Sequence, residues 1–114
     1  MTSTAWLRIM GLEELRSAGG VASCQIDRWR LAVFCVKEDI FVTADLCTHG
    51  GGRLSQGYLE GYEIECPLHQ GRFDVRTGAV TAAPCVRAVR TFRARVVDDA
   101  VEAQLPVSDP GENS

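Results

Sequence analysis

Cys47-Thr48-His49-Gly50-Gly51-Gly52 and Cys66-Pro67-Leu68-His69-Gln70-Gly71 are two versions of one arrangement, each offering a thiol and an imidazole from a turn-rich stretch. The chain has 2 histidines, and both fall within three residues of a cysteine with a glycine at the next position or the one after. Random scatter rarely produces that pairing twice. Glycine and Pro67 allow a loop to fold tightly enough to turn its side chains inward, and they let backbone N–H groups approach whatever the loop encloses. Between the two stretches, Tyr58-Leu59 and Tyr62 to Glu65 flank Glu60-Gly61, which reads as a two-residue hairpin turn with Gly61 at positive φ. Such a hairpin returns the second stretch to the side of the first, so that Cys47, His49, Cys66 and His69 converge. Thiolate and imidazole together are metal donors.

Outward from this centre, short apolar runs rich in Val, Ile, Phe and Trp alternate with turn residues at the spacing of an all-β sandwich or small barrel. Strands are expected at Trp6 to Met10, Val21 to Ile26, Leu31 to Val36 and Ile40 to Ala44, with Lys37-Glu38-Asp39 turning the last two into a hairpin. Leu12-Glu13-Glu14-Leu15-Arg16 reads as one helical turn stopped by Gly19-Gly20. Towards the end, Phe92, Ala94 and Val96 alternate with Arg93 and Arg95, and Asp98-Asp99 turns the chain into Val101, Ala103 and Leu105. That is a closing hairpin with a charged outer face. The spacing implies roughly eight to ten strands in all. One domain over residues 1–106 is expected, followed by a polar tail at 107–114 that frays.

Composition narrows the classes. A net charge of -3 with pI near 5.3 disfavours a nucleic-acid binder, which needs a clustered excess of cations. No run approaches the ~20 apolar residues of a membrane-crossing helix, and the first residues lack the basic and apolar segments of a secretory signal. A cytoplasmic chain is the expectation. There are 5 cysteines, an odd number, so a fully paired disulfide framework is not the reading. Eleven of the 12 basic residues are arginine, which suits a docking face as well as an ordinary solvated one.

Cys-x-His, then 16 intervening residues, then Cys-x-x-His resembles the cluster-binding signature of Rieske proteins. The similarity continues through Gly71-Arg72-Phe73-Asp74, Thr77-Gly78 and Pro84. The span from Asp45 to Pro84 looks most like the ferredoxin components of bacterial aromatic-ring-hydroxylating dioxygenase systems of the naphthalene and biphenyl types. The resemblance implies a Rieske-type antiparallel β-sandwich or barrel with a small cluster-binding subdomain at about 45–84. It implies one [2Fe–2S] cluster, with Cys47 and Cys66 on the inner iron and His49 and His69 on the outer. It further implies a non-enzymatic one-electron carrier, monomeric, that meets a flavin-containing reductase and a terminal Rieske oxygenase transiently.

Charge counting agrees with that role. Two ferric ions, two sulfides and two thiolates sum to zero, whereas four thiolates leave the oxidised cluster at minus two, so histidine ligation eases reduction. The potential rises from the plant-type value of ~-400 mV into a range of roughly -150 to +300 mV. Respiratory Rieske proteins carry an extra cysteine in each loop, joined as a disulfide, at positions that correspond to Gly52 and Leu68 here. They also place hydroxyl side chains after the second histidine, where Gly71 and Phe73 stand in this chain. Both departures point to the low end of the range.

Other readings compete. Zinc accepts two cysteines and two histidines, but zinc fingers usually pair like with like, and each stretch here mixes the two. Cys24, Cys35 and Cys85 read as small buried hydrophobes. Trp6, Trp29, Tyr58 and Tyr62 read as packing residues, and Arg72, Arg76, Arg87 and Arg90 as a solvated basic run. An oxygenase would need a second iron, usually on two histidines and a carboxylate, and both histidines are committed. A Rieske-like small subunit of a nitrite-reductase-type enzyme and a zinc- or cluster-bearing sensor module remain the functional alternatives.

Overall fold

The apolar run Leu31-Ala32-Val33-Phe34 is buried on both faces of its strand, and the architecture follows from that. A computed structural model describes residues 3–48, 50–68, 70–84 and 87–107. A strand buried on one side alternates in polarity, whereas one covered on both sides reads as a continuous apolar run.

The elements in chain order are β1 (Ser3–Gly11), α1 (Leu12–Ser17), β2 (Val21–Ile26), β3 (Trp29–Val36) and β4 (Asp39–Ala44), then a 3-10 turn at Leu54–Gln56. There follow β5 (Tyr58–Glu60), β6 (Glu63–Glu65), β7 (Arg72–Asp74), β8 (Val80–Ala82), β9 (Thr91–Phe92), β10 (Ala94–Val97) and β11 (Ala100–Val107). They build three antiparallel sheets, in the orders β1-β11-β10, β2-β3-β4-β9 and β5-β6-β7-β8. Leu31 and Val33 pack with Ile9, Met10, Leu15, Val42, Val101 and Leu105, joining the first two sheets as a sandwich. Ala32, Phe34 and Val36 face the other way, towards Ile64 and Phe73 of the small third sheet, Val75 in the turn after β7, and both Cys47 and Cys66. The middle sheet therefore serves two cores, and the second of them contains the thiols.

The all-β expectation holds, with differences in detail. Eleven strands form among the described residues, because the three-residue β7 and β8 are too short to carry a periodic signal. Glu60 pairs with Glu63, so the hairpin turns on Gly61-Tyr62 rather than Glu60-Gly61. Val36 pairs with Asp39, which shortens the next turn to Lys37-Glu38, with Lys37 at φ 58°. The arm expected from Phe92 to Val96 breaks at Arg93: β9 joins β4, and β10 joins β11. The switch of sheets rotates the alternation, leaving Phe92 buried and Val96 exposed. Tyr58, expected to pack, is 69% exposed, because β5 is an edge strand and Tyr58 points away from the core. Val107, assigned to the tail by composition, pairs with Ser3 as the last residue of β11, and the rest of the tail lies outside the described residues. Cys24 and Cys35 are half-buried rather than buried. Burial raises the Cys24 thiol above its ordinary value, with the nearby Glu14 carboxylate adding to the effect. Cys85 lies outside the described residues.

The small sheet is pinned to the middle one through Tyr62. Its ring meets Phe41 edge-on at 5.9 Å between centroids, and the Arg76 guanidinium sits over it at 4.1 Å. Asp74 holds Arg76 in place with two charge-assisted bonds, Nε to Oδ1 at 3.0 Å and Nη2 to Oδ2 at 2.8 Å. Three of the four arginines of the expected solvated run are thus engaged, since Arg72 likewise donates to Glu65 and Glu63 and the Arg90 guanidinium lies over the Trp29 and Phe92 rings. The Arg76 side chain holds the Asp74 carboxyl below its ordinary value, against the opposing effect of burial. A depressed carboxylate contributes stability above its unfolded pKa and loses it as pH falls through the folded one. Asp74→Asn should therefore lower Tm at pH 7 by a few degrees, about 1 kcal/mol. The gap from the unsubstituted protein should narrow as pH drops below about 4. Thermal melts across that range check this.

Candidate metal centre

Two loops present the cysteines, and each is closed by the same bond. Cys47 N–H donates to the Gly52 carbonyl at 2.8 Å, and Cys66 N–H donates to the Gly71 carbonyl at 2.8 Å, a span of five residues in both cases. Inside the clamp the loops differ. Gly50 N–H returns to the Cys47 carbonyl in the first, whereas Gln70 N–H returns to the Cys66 carbonyl in the second. The inner turn is one residue longer in the second loop, which matches the extra residue between Cys66 and His69.

The first loop is anchored by a residue that sequence reasoning passed over. Asp45, 2% exposed, accepts the Leu54 N–H on its carbonyl at 2.7 Å and the Ser55 N–H on Oδ1 at 2.8 Å. Leu46 bridges to Arg53 just inside this base. A carboxylate at the end of an apolar strand, directly before a cysteine loop, was the available signal. Thr48 is the second such residue: its hydroxyl donates to the Arg87 carbonyl at 2.6 Å and ties the loop to the segment after Pro84.

The loops meet at Gly52. A Cβ added there would lie 2.8 Å from Cys66 Sγ, 3.4 Å from Leu68 Cγ and 3.6 Å from Leu68 Cβ. The approach brings together the two positions that the respiratory pattern joins by a disulfide, without a side chain on the first. Cys47 is 5% exposed and Cys66 0%, both in the core formed by Phe34, Leu54, Ile64 and Phe73. Leu68, by contrast, is 64% exposed at the tip. His49 and His69 lie outside the described residues, so the structure brings the two cysteine loops together and describes half of the expected donor set.

These features define an all-β protein with paired, glycine-rich cysteine loops folded over a buried two-thiol centre. The sequence profile of the Rieske [2Fe-2S] domain matches residues 5–93, and the chain belongs to that family. It is 43% identical over 91 residues to the ferredoxin component of the naphthalene 1,2-dioxygenase system of Pseudomonas putida, an alignment covering 80% of this chain and 86% of that one. Among solved structures, the ferredoxin of carbazole 1,9a-dioxygenase from Nocardioides aromaticivorans IC177 superposes with a TM-score of 0.81 at 35% identity, covering 87% of this chain and 96% of that one. A complex of reduced oxygenase and oxidized ferredoxin in carbazole 1,9a-dioxygenase includes a chain matching with a TM-score of 0.78 at 33% identity, over 86% of this chain and 91% of that one.

The family's cofactor is one [2Fe–2S] cluster. What is described of the site fits it. Two soft thiol donors stand in an apolar, water-excluding core, on loops whose closest approach is kept open by a missing Cβ.

Proposed function

We propose that Cys47, His49, Cys66 and His69 hold the cluster, and that the chain carries single electrons from a flavin-containing reductase to the terminal oxygenase of an aromatic-ring-hydroxylating system. The convergence of Cys47 and Cys66 on Gly52, from loops clamped alike, is the observation that carries this reading. When bound, the cluster supplies a one-electron couple in the Rieske range. The chain's own contribution is positional. Cys47 and Cys66 keep the inner side dry, the five-residue clamps fix the loops, and exposed Leu68 with its neighbour Pro67 forms a small apolar contact at the tip. A contact of that size suits brief encounters.

The relatives named above are electron-transfer components, and this chain shares that role rather than catalysing the oxygenation itself. Its oxygenase partner is supported by the carbazole complex. The reductase, a monomeric state and a cytoplasmic setting are part of the proposal, as is the division into a domain at 1–106, with its cluster-binding part at 45–84, and a tail at 107–114. No helix of the described residues is long and apolar enough to cross a membrane.

Electron paramagnetic resonance of the dithionite-reduced protein is the direct test. A rhombic signal with a lower average g value than that of an all-cysteine cluster is expected, together with two irons and two acid-labile sulfides per chain. Cys47→Ala or Cys66→Ala should remove both. A colourless protein after anaerobic reconstitution with iron and sulfide would refute the assignment, and a midpoint above about +100 mV would refute the low-potential reading.

A further inference from the structure

The arginines are unevenly placed relative to the two loops. The hairpin side of the second loop carries Glu60, Glu63 and Glu65, gathered around the single cation Arg72. The first loop lies among Arg28, Arg30, Arg53, Arg87 and Arg90, and the ion pairs among the described residues belong to Arg72, Arg76 and Arg95, not to these five. Register places them. Arg30 O accepts the Asp45 N–H, Arg90 O accepts the Ala44 N–H, Arg53 bridges to Leu46, and Arg87 O accepts the Thr48 hydroxyl. Arg28 and Arg90 both lie over the Trp29 ring, at 5.2 and 4.9 Å. Two acidic residues share the region among the described residues, exposed Asp27 in the β2–β3 turn and the buried, hydrogen-bonded Asp45, so these residues give the face a net excess of positive charge.

Shape and polarity agree with charge. Arg30 and Arg53 line a cavity of about 220 Å³ with Ser23, Gln25 and Asp45. Leu46, bridged to Arg53 and directly before Cys47, is 50% exposed. An exposed apolar residue flanked by guanidiniums that lie outside the ion pairs of the described residues, next to a recess, is how a protein surface receives carboxylates around an apolar contact. The whole chain has the opposite sign, at -3.

We infer that this arginine face, centred on Leu46 and bounded by Arg28, Arg30, Arg53, Arg87 and Arg90, is a docking surface for an acidic face of a protein electron partner. It rests on the electron-carrier reading above and adds the chemistry of the partner. Charges of this kind set encounter rates and orientation, and their influence falls with salt.

The test uses the cluster-loaded protein, reduced with one equivalent of dithionite and desalted, in a stopped-flow instrument. Hexacyanoferrate(III) takes one electron and becomes hexacyanoferrate(II); tris(phenanthroline)cobalt(III) takes one electron and becomes the cobalt(II) complex. If the electron leaves beside a positive face, the rate with the anionic oxidant falls about threefold or more between about 20 and about 500 mM salt, and that with the cationic oxidant rises. In the Arg30→Glu, Arg53→Glu, Arg87→Glu triple variant both trends reverse with the visible spectrum unchanged. Poly-aspartate at low salt should slow the hexacyanoferrate(III) reaction of the parent protein about threefold, and that of the variant not at all. A coloured protein whose anionic rate rises with salt, as its net charge alone would dictate, overturns this inference and leaves the electron-carrier reading standing. So does indifference to the triple substitution or to poly-aspartate. A colourless protein overturns both together.

Discussion

Gly52→Ala should yield a folded protein that retains less than about a tenth of the parent's iron and sulfide, a loss far beyond that of an ordinary surface glycine substitution. The added methyl would sit 2.8 Å from Cys66 Sγ and 3.4 Å from Leu68 Cγ. Leu68 is exposed and can swing away, but the sulfur of Cys66 lies on a short side chain in a fully buried setting. Either the sulfur turns from its position or the two loops part, and both outcomes spoil the geometry that two loops must share to hold one centre. The strands stay intact, because the Cys47-to-Gly52 clamp uses backbone atoms that alanine also possesses. Far-ultraviolet circular dichroism should therefore be unchanged while visible absorbance and iron content collapse. A variant with parental iron and spectrum would show that Gly52 is not where the loops limit one another.

Gly78→Ala should act on the fold itself, with a loss of at least about 3 kcal/mol, enough to remove much of the stability of a domain this small. Gly78 has φ +79°, a region that side chains with a Cβ rarely adopt, and the Cβ would be driven into the Val89 carbonyl oxygen. That carbonyl cannot yield easily. The backbone is tied locally by Val89 N–H to the Gly78 carbonyl at 2.9 Å and Gly78 N–H to the Asp74 carbonyl at 2.7 Å, and Val89 itself is buried in the core that holds both cysteines. A Tm lowered by ten degrees or more, or insoluble expression, is the expected result. Ala79, beside it and exposed, provides the control: Ala79→Ser should change Tm by no more than about a degree or two. Equal stability of Gly78→Ala and the parent would contradict the close approach.

The two cysteine loops that the structure brings together were legible in the chain because such loops depend on residue types at short spacing. Cysteine and histidine are few, glycine and proline mark tight loops, and a hairpin between two such loops leaves little freedom about where the second one goes. Strand β3 was legible for a similar reason, since the unbroken apolar run from Leu31 to Val36 has few stable alternatives. What the chain did not display were features set by a single contact at long range. Asp45 looks like any surface aspartate until the Leu54 and Ser55 amides are placed over it. Tyr58 reads as a packing residue until β5 proves to be an edge.

Local sequence by itself determined that this protein is all-β and that two loops, each mixing cysteine with histidine, flank one hairpin, while the resemblance to Rieske proteins turned that mixture towards iron and sulfide. Tertiary structure alone decided that β3 is covered on both faces, that Gly52 is the point where the loops touch, and that the arginines collect beside the first loop of an acidic chain. The physical reason is range: ligand type, turn chemistry and strand propensity act over a few residues, whereas burial, charge placement and closest approach depend on which distant segments the sheets bring side by side.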